Sequence, residues 1–253
     1  MEELGRKERA YPSDGEKGAP IERGASVQNY RTLEAHCGVT ATGVNKDNAY
    51  GHGLAAVDDA LRRAGAVRFA LANFRETQSL GKRAEGTSLL ILGNTSQGHM
   101  KEAQAQGISC TLFGEEQWQE MKEILDPSLP PLGVQIKVDT GFHRLGFSPE
   151  RSSLAVIEEI LRHPSVRVEG VYSHLALAEE ERDKEQLRRL TDFLQMLEEA
   201  GFSRKSLGDV HIADSISAIE YPWARLDGVR IGAALFGLGC ERPGYAPLGR
   251  RPA

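Results

Sequence analysis

The stretch "TATGVNKDNAYGHGLAAVDDALRRAGAVRFALA", residues 40–72, decides how the chain folds. "TATGVN" reads as a short strand, "GLAAVDDALRRAG" as a helix stopped by its final glycine, and "VRFALA" as a second strand. Two strands joined through a helix pair in parallel, because a parallel pair needs a long crossover connection.

The same alternation continues outward in both directions. Before the stretch, "VQNYRTLEAHCG" (27–38) reads as a helix ending at Gly38. After it, "ETQSLGKRAEG" (76–86) is a weaker helix, "SLLILG" (88–93) a strand, "GHMKEAQAQG" (98–107) a helix and "ISCTLF" (108–113) a strand. "EEQWQEMKEILD" (115–126) is a helix stopped by Pro127, and "GVQIKVD" (133–139) the fifth strand. "SPERSSLAVIEEILRHP" (148–164) predicts a helix with Ser148 as N-cap and Pro149 at its first position. "VRVEGVYSHL" (166–175) is a strand, "EERDKEQLRRLTDFLQMLEEAG" (180–201) a long amphipathic helix and "DVHIAD" (209–214) a strand. "SISAIEYP" (215–222) is a short helix and "GVRIGAALFG" (228–237) the eighth strand with its turn.

Eight strand–helix units in 253 residues predict an α/β fold, a (β/α)8 TIM barrel. An open doubly wound sheet is the alternative, weakened because no GxGxxG follows the first strand. The expected organisation is a flexible polar tail over 1–20, the barrel over 21–240 and a second tail over 241–253.

Composition narrows the function. The chain has 31 Lys and Arg against 36 Asp and Glu, a net charge of -5, which gives no electrostatic ground for nucleic acid. Small anions remain open, since they need local donors and not a global field. No apolar run reaches the roughly 20 residues of a membrane span, and residues 1–20 carry no apolar leader segment. Cys37, Cys110 and Cys240 are scattered and odd in number, which suggests a reducing, cytoplasmic setting. The seven histidines form no HxxxH pair, so no metal is expected.

Barrels carry function at the C-terminal ends of their strands. Those ends hold Lys46 and Tyr50 after the first strand, and Lys137, Asp139 and Arg144 around the fifth. His174 ends the sixth, Asp214 and Ser215 the seventh, and Arg230, Gly232 and Ala233 lie on the eighth. Each has an ordinary reading: Lys46 as a solvated amine, His174 as a hydrogen-bonded core ring, Ser215 as an N-cap, Arg230 and Asp227 as a structural ion pair. Their common rim favours a joint role. A lysine facing anion-suited turns after the last two strands suggests a phosphorylated carbonyl cofactor held as a Schiff base, and pyridoxal phosphate fits.

At these residues the sequence resembles the N-terminal barrel domain of the alanine racemase family. "NKDNAYGHG" (45–53) is similar to the family's cofactor-lysine motif. "IKVDTGFHRLGF" (136–147), "VEGVYSHLALAEE" (168–180), "VHIADSISAIEYP" (210–222) and "LDGVRIGAALFGLG" (226–239) resemble further family segments in the same order. The resemblance implies a racemase of alanine or serine that uses pyridoxal 5'-phosphate. Lys46 would hold the cofactor and act as one of two bases. Tyr50, Ser215, Gly232 and Ala233 would hold its phosphate, with Asp214 beside them. Arg230 would face the pyridine nitrogen, His174 would lie beneath the ring and link to Arg230, and Arg144 would meet the phenolic oxygen, oriented by Lys137, carbamylated or not. Where Asn45, Asp47 and Asp214 stand, the family has a small apolar residue, Ala and Asn. Strand alternation predicts that Asp47 points away from the Lys46 face, whereas Asp214 would add charge near the cofactor. The family also continues into a β-rich domain that supplies a second base across a dimer. The expected partner is therefore a second copy or a separate domain, and the expected turnover of this barrel alone is weak. The alternative is a single-domain protein that carries the cofactor for homeostasis, although that family lacks the AYGHG tail.

Overall fold

The structure, a computed structural model, describes residues 23–80 and 86–238. The two tails expected at 1–20 and 241–253 lie outside the described residues. Eight strands form one parallel sheet: β1 (Thr40–Val44), β2 (Arg68–Leu71), β3 (Ser88–Ile91), β4 (Ser109–Leu112), β5 (Leu132–Lys137), β6 (Val166–Tyr172), β7 (Asp209–His211) and β8 (Gly228–Ile231). Their spatial order is β7-β6-β5-β4-β3-β2-β1-β8, so β8 pairs with β1 and the ends of the sheet meet. Between β7 and β8 the backbone contributes two bonds, Asp227 N–H to Val210 O (3.1 Å) and Arg230 N–H to Ala213 O (3.0 Å). The Asp227 carboxylate adds a third link by accepting from the Val210 amide at 2.7 Å and from Arg204. The ion pair with Asp227 that is the ordinary reading of Arg230 is thus not formed, because Asp227 is committed to closing the barrel.

The helices pack outside the sheet. The first, Arg23–Cys37, ends where Gly38 takes a positive φ of 70°. Asn29 on it donates to the Leu235 carbonyl at 2.9 Å, tying it to the turn after β8. Apolar side chains from the helices and the outward strand positions form one large core, with Leu61, Trp118, Ile157 and Phe193 fully buried in it. A separate small cluster, Val44, Ala70 and Leu90, fills the barrel interior on the β1–β3 side. The opposite half of the lumen is polar, built from Thr111, Gln135, Tyr172, His211 and Arg230, all hydrogen-bonded there.

Three local expectations are corrected. The helix after β5 begins at Leu154, behind a 3-10 turn at Arg151–Ser153, and not at Pro149. Ser148 is exposed and does not cap it. The helix expected over 76–86 is a 3-10 turn at Phe74–Ser79, and residues 81–85 lie outside the described residues. Its cap is Asn73, whose side chain accepts from the Glu76 amide. Residues 47–50 do not continue β1 in any form: Asp47, Asn48, Ala49 and Tyr50 all have φ near +54°. The strand-alternation argument for Asp47 therefore does not apply.

Asn45, at the end of β1, is fully buried, and neither atom of its side-chain amide has a hydrogen-bond partner. An unpaired buried polar group costs about 1–3 kcal/mol. Leucine has the same number of side-chain heavy atoms and no polar group. Asn45→Leu is expected to raise unfolding stability by about 1–3 kcal/mol, measured as a higher urea midpoint at unchanged slope.

Candidate active site

The register of the sheet sets the site. Lys137, Tyr172 and His211 stand side by side on β5, β6 and β7, and Thr42 on β1 is level with Arg230 on β8. At the centre lies Arg230, 5% exposed. Its guanidinium donates to His211 Nδ1, to His174 Nδ1 (3.1 Å) and to the carbonyls of Ser173 (2.9 Å) and Ile212 (3.0 Å). Its carbon lies 5.2 Å from the centre of the Tyr172 ring, and the Tyr172 hydroxyl pairs with Thr111 Oγ1 at 2.9 Å.

These partners fix both imidazoles. A guanidinium only donates, so Nδ1 of each histidine must accept and each neutral ring carries its proton on Nε2. For His211 that proton points to Gln135 Oε1, 2.8 Å away. Burial, and then the Arg230 charge, push the His174 pKa down to about 3 and that of His211 well below its ordinary value. His211 and Gln135 are absent from the sequence-based set. The spacing of "DVHIAD" put His211 on a strand, but only the register across three strands reveals its contact with Arg230.

In the same row, on β5, sits Lys137, 3% exposed, donating to the Leu145 carbonyl at 2.5 Å. Burial, followed by the Arg144 charge, lowers its pKa to about 8. Arg144 itself is exposed, with its guanidinium carbon 4.4 Å from the centre of the Phe142 ring. Its loop is shaped by Asp139, whose carboxylate accepts from the amides of Gly141, Phe142, His143 and Arg144 at 3.0–3.1 Å.

Across the rim, Lys46 Nζ lies 5.8 Å from the centre of the Tyr50 ring. The left-handed turn at 47–50 folds Tyr50 back toward the turn after β8. A β-carbon on Gly232 would collide with the Tyr50 hydroxyl, so the absence of a side chain there admits the phenol. Ser215 Oγ in turn accepts from the amides of Gly232 (3.0 Å) and Ala234 (3.4 Å). Lys46, Tyr50, Ser215 and Gly232 are thus linked in one continuous set of contacts. His52 braces the turn: its Nδ1 is 3.1 Å from the carbonyls of both Ala49 and Tyr50, and its ring stacks on Phe236 at 4.2 Å. Asp214 caps the helix Ser215–Glu220, with Oδ1 accepting from the Ile216 and Ser217 amides at 3.1 Å and from the Ser217 hydroxyl at 2.8 Å.

The family described as alanine racemase, N-terminal domain, matches residues 21–239. The chain belongs to that family. It is 34% identical over 226 residues to the alanine racemase of Anoxybacillus flavithermus, covering 87% of this chain and 57% of that one. It is 35% identical over 205 residues to the alanine racemase of Geobacillus stearothermophilus, covering 81% of this chain and 52% of the relative. The crystal structure of alanine racemase from the D-cycloserine-producing Streptomyces lavendulae superimposes with a TM-score of 0.81 at 29% identity, over 92% of this chain and 62% of that one. The chain spans about half the length of the curated relatives it matches. Among the described residues no helix is long and apolar enough to cross a membrane, and no group of three or more metal-ligating side chains occurs.

The two neutral histidines make stability depend on pH. Their folded pKa values lie below the unfolded value near 6.5, so the unfolded chain binds more protons below pH 6.5. Stability is therefore retained above pH 6.5 and lost as the pH falls from there toward 3. With two such groups the slope approaches about 2.7 kcal/mol per pH unit near pH 5. Urea titrations of the cofactor-free protein at pH 7, 6 and 5 check this, and His211→Gln, which keeps an acceptor for Arg230, is expected to remove about half of the slope.

Proposed function

We propose that this barrel binds pyridoxal 5'-phosphate at Lys46 and serves in the racemisation of a small amino acid, alanine or serine. The observation that carries this is the convergence of Lys46, Tyr50, Ser215 and Gly232 on one rim. That set supplies an amine for a carbonyl, and a phenol and a hydroxyl beside a side-chain-free turn for a phosphate. The residues fit the cofactor: with no β-carbon on Gly232, the Tyr50 hydroxyl comes up against the bare backbone of this turn, beside the Ser215 hydroxyl.

When bound, the cofactor withdraws electrons from the amino acid's α-carbon and so makes its proton removable. The protein's part is to hold, orient and transfer that proton. Tyr50, Ser215 and the backbone at Gly232 and Ala233 would hold the phosphate, with Asp214 fixing the helix beside them. Lys46 would move a proton at one face of the α-carbon. Arg230 would meet the pyridine nitrogen, and since an arginine does not release its proton, that nitrogen stays unprotonated. By leaving that nitrogen unprotonated, Arg230 would moderate the pull on electrons and so favour return of the proton to the same carbon. His174 would lie beneath the ring, held neutral by burial and then by the Arg230 charge. Arg144 would face the phenolic oxygen. A base for the opposite face comes from outside these residues, which fits a second copy or a separate domain as partner.

Incubation with pyridoxal phosphate followed by borohydride reduction is expected to add the cofactor's mass to the peptide containing Lys46, with none added in Lys46→Ala. Alanine deuterated at the α-carbon is expected to exchange with water in a cofactor-dependent way. That exchange should slow by at least about 100-fold in Lys46→Ala. Bound cofactor without exchange would favour the cofactor-carrier reading instead.

Lys137 is suited to carbamylation. Its lowered pKa, about 8, makes a substantial fraction of the amine neutral and nucleophilic in mild base. The Arg144 and Arg230 charges that disfavour an ammonium at this position favour an anion there. The amine nitrogen would bond to the carbon of carbon dioxide and release one proton to solvent. In carbon-13 bicarbonate near pH 8, one slowly exchanging carbamate resonance is expected, absent from Lys137→Ala.

A further inference from the structure

The left-handed turn after Lys46 is costly. A left-handed conformation costs a residue other than glycine about 1–2 kcal/mol, and here four occur in succession, Asp47 to Tyr50. Such a turn persists only where surrounding groups over-determine it. Several of its bonds are internal: Ala49 N–H to Asn45 O (2.9 Å), Gly51 N–H to Asp47 O (3.0 Å), and Leu54 N–H to Asn48 Oδ1 (2.8 Å). The main chain on the near side of Lys46 is fixed by the sheet, with Asn45 N–H donating to Ala70 O at 2.9 Å. On the far side the fixing group is a side chain from the 3-10 turn after β2. Glu76 Oε1 accepts from the Asp47 amide at 2.6 Å, and Glu76 Oε2 accepts from the Ala72 amide at 2.8 Å. The carboxylate spans the turn after β1 and the end of β2. It is itself oriented by its own amide, which donates to Asn73 Oδ1 at 3.3 Å.

We infer that Glu76 is a positioning residue for Lys46: its carboxylate clamps the Lys46–Asp47 peptide and so aims the amine across the barrel mouth. This rests on the reading that Lys46 is the cofactor lysine. Both carboxylate oxygens are used as acceptors by amides on two different segments. Glutamine supplies only one acceptor oxygen, so neither alanine nor glutamine replaces the clamp, and glutamine keeps the size of the side chain.

Glu76→Ala and Glu76→Gln are compared with the unmodified chain by two measurements. The first needs no cofactor. Residue-resolved amide hydrogen exchange is expected to accelerate at Asp47 by about tenfold or more in both variants, the equivalent of about 1.4 kcal/mol of lost protection, with Gly43 in the middle of β1 unchanged. The second compares covalent with total cofactor. Borohydride-trapped pyridoxal phosphate on Lys46 is expected to fall several-fold relative to total bound cofactor in Glu76→Ala, because the phosphate contacts on the other turns remain. A merely structural role would lower both quantities together and would accelerate exchange throughout β1. Unchanged exchange at Asp47 in both variants, or an unchanged trapped fraction, overturns the inference. If the unmodified chain binds no cofactor, the reading of Lys46 fails while the exchange measurement still decides whether Glu76 clamps the peptide.

Discussion

A guanidinium buried without a carboxylate partner governs the centre of this barrel. Arg230 is almost fully enclosed, and among the described residues it forms no ion pair. Its charge is met instead by two backbone carbonyls, two imidazole nitrogens and the face of a tyrosine. A buried charge is tolerated only where its hydrogen bonds are satisfied, so every one of these groups must hold its position. The demand explains why half of the lumen is polar. It also explains why His211 cannot swing away: its other nitrogen is occupied by Gln135, two strands distant. An arginine paired with a carboxylate would be locally neutral. An arginine paired with neutral acceptors keeps its full charge available to whatever lies above it.

The rim is organised differently. Around Arg230, regular strands hold the side chains and the register does the positioning. Around Lys46 and Arg144 the chain has left the strands, and carboxylates hold backbone amides. Asp139 gathers four successive amides after β5, Glu76 clamps the Lys46–Asp47 peptide, and Asp214 caps the helix after β7. In each case an anion binds N–H groups that a turn would otherwise leave unpaired, and charge-assisted bonds of this kind are stronger than neutral ones. The rim can therefore keep irregular shapes, including four successive left-handed residues, without glycine at each position.

All eight strands were legible in the sequence, because each is a short β-prone run between helical segments and turn residues. What failed were features decided by contacts distant in sequence. Ser148 followed by proline carries the marks of a helix start, yet the α-helix begins only at Leu154, after a 3-10 turn and beyond the loop that Asp139 shapes. In "KDNAY" only Asp47 and Asn48 tolerate left-handed backbone readily, and nothing local extends that turn through Ala49 and Tyr50; the acceptor on Glu76 lies 29 residues further along. Proximity in sequence suggests an ion pair between Arg230 and Asp227. It is absent because Asp227 is held by the Val210 amide and Arg204 at the seam of the barrel. The order of site residues along the chain was legible for the same reason as the strands: in a barrel, strand ends share one rim.

Asp214 shows how a carboxylate can serve the fold as an amide would and still change the charge around it. Aspartate and asparagine are nearly equal as N-caps, and here one carboxylate oxygen takes the two amides and the hydroxyl that an asparagine oxygen would take. The difference is charge. Burial first, then the carboxylates of Asp47 and Asp214, push the Tyr50 pKa up to about 12. Both carboxylates therefore act on the same phenol, one from each side of the rim. They add to the effect of burial in holding the proton on Tyr50, and a protonated phenol is the form that can donate a hydrogen bond to an anion. The same charges would repel an anion placed there. With the Asp214 carboxylate already engaged by three donors, that repulsion would be tempered, and a donating Tyr50 is compatible with an anion at this turn.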